Sequence, residues 1–314
     1  MAEPTRGSGS GSIADPASGH VPSPPIGRLY NAAGRRLMLH SSGAGGPAVV
    51  FLPGGGMIGA DYANIDGRVA ELTTSVLYDR AGTGWSEPAD LPRTSTDVAD
   101  ELHDLLRIAA VPGPYLLVGH SLGAAYARQY AQLFPDEVAG ILLLDPFHED
   151  MLAIAPEEVR AKLARMKSAD LPEATAEQIE SSRGPLAKHF AAWPDAVREP
   201  LVDYHLTSWQ IGWVEDKNLH DVVADELRNG PRLPDVPLIV LSAMGIDPTQ
   251  AQLWTEETVR EMNEAKLGLH AQLAAAVPRG EHRVIENAGH AWIFEERQDA
   301  VLQAITDLLG AARA

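Results

Sequence analysis

Six short apolar runs constrain this chain more than anything else in it: AVVFLP from Ala48, TSVLYD from Thr74, YLLVG from Tyr115, AGILLLD from Ala139, PLIVLS from Pro237 and HRVIE from His282. Each is bounded by Gly, Pro or Asp, and most are apolar at successive positions, which leaves no face for water. Such runs predict buried parallel strands. Helical patterns lie between several of them. STDVADELHDLLRIAA opens with Ser and Thr close to an Asp, a capping signal, and aligns Val98, Leu102, Leu105 and Leu106 along one stripe. Strand and helix in alternation predict an α/β fold with a parallel sheet covered on both faces. Ahead of these runs, RLYNAAGRRLMLHSS reads as two strands joined at Ala33-Gly34, a hairpin turn pair.

The chain has 314 residues, 45% of them hydrophobic, enough for one large core with an inserted subdomain. Its 25 basic and 43 acidic residues give a formal charge of -18, a field that repels nucleic acid and anionic lipid. Neither is expected as a partner. Cysteine is absent, which excludes disulfides, thiolate metal sites and a cysteine nucleophile. No apolar run reaches membrane-spanning length. The opening residues lack the charged start and apolar centre of an export signal, and their Gly, Ser and Pro content predicts a disordered tail over 1–26. Cytoplasm is the default location. A homo-oligomer is compatible with the sequence.

The strand and helix rhythm lapses between Pro146 and Pro237. This stretch is helical and polar at first, as in PEEVRAKLARMKSA, and then carries Trp193, Tyr204, Trp209 and Trp213. We read 147–236 as a helical cap over the carboxyl edge of the sheet, where open α/β sheets bind ligands. The core is then 27–146 together with 237–314. The competing reading is a purely structural helical extension.

PYLLVGHSLGAAYARQYAQLFP runs a strand straight into a helix with one serine at the break. A strand that turns abruptly into a helix forces the junction residue into a strained conformation and pushes its side chain out above the sheet. Glycines two positions to either side let strand and helix approach, and Gly119-His120-Ser121-Leu122-Gly123 has that G-x-S-x-G form. The bland reading is a glycine-rich turn with a capping serine. A serine hydroxyl needs a base to become a nucleophile, and the base needs an orienting acid. Of eleven histidines, His290 follows the last expected strand in HRVIENAGHAW, where Asn287, Ala288 and Gly289 make a tight turn. His282 starts that strand at the wrong end, while His103 and His270 fall in helical patterns and read as solvated or core residues.

Two acids compete. Asp145 closes its strand at the carboxyl tip, and Asp247 lies in the loop SAMGIDP after the next strand. Asp145 is preferred because a rigid element positions a group better than a flexible Met-Gly loop does. Charge developing on a carbonyl oxygen also needs hydrogen-bond donors. The N–H of Leu122 is one candidate, and Gly55 in the Gly54-Gly55-Gly56-Met57 loop is the other.

With these residues in view, the chain resembles the α/β-hydrolase superfamily from about Gly27 to its end. The resemblance rests on FLPGGGM, LYDRAGTGWS, GHSLG, LLLDP and AGH. It departs from the family pattern at Pro53, where many members have histidine. The resemblance implies an eight-stranded, mostly parallel sheet with a cap after the sixth strand, no metal and no organic cofactor. Some members, including zearalenone-lactonase-like hydrolases, resemble this chain in carrying the acid directly after the sixth strand. GTGWS lacks the third glycine and acidic partner of a dinucleotide loop, and FHED lacks a second ligand pair for a metal.

Fold alone does not fix a substrate. A serine at the turn disfavours epoxide hydrolases and haloalkane dehalogenases, which resemble each other in using aspartate there. The expected function is hydrolysis of an apolar carboxylic ester or lactone, with Ser121 as nucleophile, His290 as base and Asp145 as orienting acid. Met57, Met151, Trp193, Trp209 and Trp213 are candidate pocket walls, although core packing suits Trp209 and Trp213, four residues apart on one helix face, about as well. A carbon–carbon bond hydrolase, a perhydrolase and a hydrolase-like receptor for a small ligand are the rivals.

Overall fold

The computed structural model describes residues 23–171, 173–246 and 248–313, apart from the side chains of residues 248, 249 and 252. Most of the expected tail, residues 1–22, lies outside the described residues, as does Asp247. Ile26, which the sequence reading assigns to the tail, packs against the core.

Eight strands form one sheet: β1 Arg28–Ala32, β2 Arg35–Ser42, β3 Ala48–Leu52, β4 Ser75–Tyr78, β5 Tyr115–His120, β6 Val138–Leu144, β7 Leu238–Ala243 and β8 Gly280–Ile285. Their spatial order is β1-β2-β4-β3-β5-β6-β7-β8. The β1–β2 and β2–β4 pairs are antiparallel, and from β4 to β8 every pair is parallel. The hairpin turns at Ala33 and Gly34, both with positive φ (49° and 76°).

The apolar runs are continuous because side chains alternate between two buried faces. Val50, Leu117 and Leu143 point into one cluster, with the helices Ser95–Ile108 and Leu122–Leu133. Val49, Val118 and Leu142 point into the other, with the helix Gln298–Arg313. Truncating a fully buried leucine such as Leu117 costs about 2–5 kcal/mol, because both its burial and its packing partners are lost. The first of these helices is capped by Thr94, whose hydroxyl accepts from the Asp97 N–H (3.0 Å). Ser95 turns instead to Glu226, which accepts from both its N–H and its hydroxyl.

Between β6 and β7 the chain is helical, with Glu157–Ser168, Ala176–His189, Asp195–Thr207, Gln210–Glu215 and Ala224–Asn229 as its main pieces. Polar bonds fasten these helices to the carboxyl side of the sheet. The indole N–H of Trp193 donates to the Asp61 carbonyl (2.8 Å), the Tyr204 hydroxyl to the Gly56 carbonyl (3.2 Å), and His205 bonds the Asp61 carboxylate (2.8 Å). Among the described residues, no helix is long and apolar enough to cross a membrane.

Candidate active site

Ser121 sits where β5 passes directly into the helix Leu122–Leu133, with φ 52° and ψ -118°. A non-glycine residue held there stores about 1–3 kcal/mol of strain, so its surroundings must over-determine it. They do. The Ser121 N–H donates to the Leu144 carbonyl (3.1 Å), and its own carbonyl accepts from Ala124 and Phe147 (both 3.1 Å). A Cβ on Gly119 would stand 2.6 Å from the Ala124 Cα, and one on Gly123 would collide with the Leu52 and Pro53 carbonyls. The two glycines are therefore required by close approach.

The Ser121 hydroxyl is 2.9 Å from His290 Nε2, and His290 Nδ1 is 2.6 Å from Asp145 Oδ2. An ionised carboxylate can only accept, so Nδ1 carries the proton and Nε2 is left to accept from the serine. Asp145 follows β6 immediately and also has positive φ (42°). Its Oδ1 accepts from the Ala243 N–H (2.9 Å), and its Oδ2 is also 2.9 Å from the Lys266 ammonium. Burial alone would raise its pKa. The Lys266 charge and the His290 hydrogen bond overcome that and hold the carboxyl well below the usual range. Of the two acids weighed from sequence, Asp145 is the one that contacts His290 among the described residues.

Several residues that the sequence reading passed over support this line. His120 donates from Nε2 to the His290 carbonyl (2.8 Å), which anchors the histidine loop to the strand that carries the serine. His270 is fully buried behind Asp145, where burial pulls its pKa down to about 4. It donates to the Pro146 carbonyl (3.0 Å) and accepts from Ser242 (2.6 Å), which in turn lies 2.8 Å from His282. Local pattern offers no signal for Lys266, which reaches Asp145 across 121 residues of chain.

The glycine loop after β3 is held by a buried ion pair. Arg80 donates to the Pro53 and Gly54 carbonyls (3.0 and 2.8 Å) and bidentately to Glu215 (2.6 Å twice), which lies in the helical segment. Glu215 also accepts from the Gly56 N–H (2.7 Å), and the Met57 N–H is taken by the Gly54 carbonyl (3.1 Å). Among the described residues no protein acceptor takes the Gly55 N–H. The loop meets the serine turn at this glycine, since a Cβ on Gly55 would be 3.7 Å from the Leu122 side chain. Leu122 opens its helix, so its N–H has no intrahelical acceptor.

The candidate wall residues separate into distinct groups. Trp213 lines a cavity of about 270 Å3 within the helical segment, together with Leu152, Leu163 and Asp216, and all of its wall residues lie between Leu152 and Asp221. Trp193 does not line it. Its ring is fully buried against Phe190 and Trp292 and its N–H is satisfied by Asp61, so it is a core residue and the expectation of a substrate contact is corrected. Met57 is likewise packed into the core, with its sulfur facing Tyr62. Trp209 and Met151 are half-buried outside this cavity's wall. In the FHED stretch, Glu149 is occupied by a bidentate pair with Arg128 (2.7 and 2.8 Å).

This strand order, with its sharp turn after β5 and a histidine loop after β8, is the architecture of the α/β hydrolases. The model of the Alpha/beta hydrolase family matches residues 49–304, and the chain belongs to that family. It is 29% identical to the Bacillus subtilis (strain 168) protein YqjL over 210 residues, 60% of this chain and 81% of that one. The match to a second protein of that organism, YbdG, spans only 37% of its length. Among solved structures it is similar to a thermophilic esterase from Thermogutta terrifontis (TM-score 0.62, 18% identity, 91% of this chain and 98% of that one). It is also similar to the enol-lactonase from Burkholderia xenovorans LB400 (TM-score 0.60, 17% identity, 90% and 99%).

Proposed function

We propose that the chain is a serine hydrolase that cleaves an apolar carboxylic ester or lactone through a Ser121–His290–Asp145 triad and an acyl-enzyme. The observation that carries this reading is the unbroken hydrogen-bonded line from the strained Ser121 through His290 to an ionised Asp145. In the forward step the Ser121 oxygen bonds to the carbonyl carbon while His290 Nε2 takes the hydroxyl proton. The electron pair displaced onto the carbonyl oxygen is met by the Leu122 and Gly55 N–H groups. Collapse expels the alcohol oxygen, which leaves with the proton from His290. A water then repeats the sequence on the acyl-enzyme and releases the acid, with Ser121 recovering its proton. For a lactone, acid and alcohol remain one molecule.

The helical segment between β6 and β7 serves in this reading as a cap, and Leu152, Leu163, Leu219 and Trp213 in its cavity, set beside charged side chains such as Asp216 and Lys217, suit a substrate that is apolar over part of its surface. A panel of linear esters and macrocyclic lactones, run with wild type and Ser121→Ala in parallel, tests the proposal. Turnover by the wild type and a loss of about 10^6 in kcat in the variant is the expected result. A variant that retains the wild-type rate would reject Ser121 as the nucleophile.

A further inference from the structure

Asp216 follows directly on the helix Gln210–Glu215 and presents its side chain to the cavity that Trp213 lines. A Cβ on Gly55 would find an Asp216 carboxyl oxygen as its nearest neighbour, at 3.5 Å. The carboxyl thus stands beside the amide expected to receive the oxyanion. The adjacent Glu215 is bonded to Arg80 and the Gly56 N–H, whereas among the described residues nothing donates a hydrogen bond or ion pair to the Asp216 carboxyl. Although surrounded by protein, much of its surface is open to the cavity.

We propose that Asp216 is a specificity-determining residue that pairs with an ammonium group carried by the substrate two or three bonds from its scissile carbonyl. The inference rests on the hydrolase reading above and narrows its substrate class to amine-bearing acyl groups with an apolar remainder. The physical reason is electrostatic. A carboxylate beside the oxyanion amides opposes the charge that forms there, and a substrate cation cancels that opposition while supplying the missing partner.

The charged groups around the cavity leave this role vacant. Arg160 pairs with Glu157, Lys167 with Asp221, and burial pulls the His220 pKa down to about 4. Lys217 faces the same cavity but makes no ion pair with Asp216. Burial and the neighbouring Glu215 push the Asp216 pKa up to about 7, with His290 opposing them. A neutral ester is therefore turned over best with Asp216 protonated, and its kcat/KM declines as pH rises through about 7. An ammonium-bearing ester escapes that decline.

The test compares p-nitrophenyl propionate with p-nitrophenyl β-alaninate on wild type and Asp216→Asn from pH 5 to 9. At pH 8 the wild type should favour the amine ester by about tenfold or more in kcat/KM, since hydrogen bonds to charged groups are the strong ones. The variant should lose that preference, and the decline of the propionate rate near pH 7 should vanish with it. A preference unchanged within twofold, with the decline intact, overturns the inference while leaving the hydrolase reading standing. Should the wild type turn over neither ester, the hydrolase reading is judged by its own ester and lactone panel, and NMR titration of both proteins with β-alanine amide and propionamide decides the subsite. Amine preference lost in Asp216→Asn supports the subsite, and equal binding of the two amides by wild type overturns it.

Discussion

The helix Leu122–Leu133 buries every residue except Leu133, whereas Ala176–His189, in the segment between β6 and β7, buries none. The helix Glu157–Ser168 buries Val159 alone. The first helix is packed between the sheet and the helix Ser95–Ile108 and carries the serine turn at its head, whereas Glu157–Ser168 lends Leu163 to a cavity wall and Ala176–His189 lies outside that wall. Dense packing fixes a geometry to within a fraction of an ångström, while a half-exposed wall tolerates exchange. In the proposed function the chemistry falls to the sheet, and the fit to the helices that follow β6.

The sharpest way to break this division is Asp145→Asn. It should lower kcat by about 10^4 by removing the acceptor that sets the His290 tautomer. It also leaves the buried Lys266 ammonium without its carboxylate, a loss of about 3–5 kcal/mol readable as a lower urea midpoint. A variant with full activity would place the orienting acid elsewhere. Next in size is Glu215→Gln, which breaks the buried ion pair with Arg80 through which the helical segment holds the glycine loop. A stability loss of about 3–5 kcal/mol and a lower kcat are expected together. If only stability falls, the loop does not depend on the helices for its position.

Trp213→Ala sharpens the comparison from the other side. As a wall residue it should raise KM about tenfold for a bulky ester and barely alter kcat for a small one, since a hydrophobic contact discriminates by about 1–3 kcal/mol. The smallest effect concerns pH. Burial pushes Asp79, in the core, and Asp216, at the cavity, up to about 7. Their unfolded values lie near 3.9, so their stabilising contribution is complete below about pH 4 and is lost as pH rises through about 7. Urea midpoints at pH 5 and pH 8 should differ in that direction, with Asp216→Asn removing the lesser share. Asp145 has the opposite sign, its contribution being present above about pH 4 and lost only as pH falls further.

The same contrast decides what is legible in the sequence. The sheet, the serine turn and the histidine loop are local patterns: continuous apolar runs, two glycines flanking Ser121, and a tight turn ahead of His290. Asp145 is one of two carboxylates that the sequence offers, and its preference over Asp247 rests on attachment to a strand. Lys266, Glu215 and Asp216 left no local trace, because their meaning comes from approach across more than a hundred residues of chain. Trp193 departs from its sequence expectation for a related reason. An aromatic residue in a polar helical stretch suits a pocket wall and a core equally, and the Asp61 carbonyl, 132 residues away, decides for the core.

Intact-mass analysis after incubation with a fluorophosphonate tests the central claim most directly, because that reagent needs a nucleophilic serine, a base and an oxyanion site at once. One adduct that maps to Ser121 in the wild type, and none in Ser121→Ala, is the predicted result. An unlabelled wild type, or an equally labelled variant, would contradict the account.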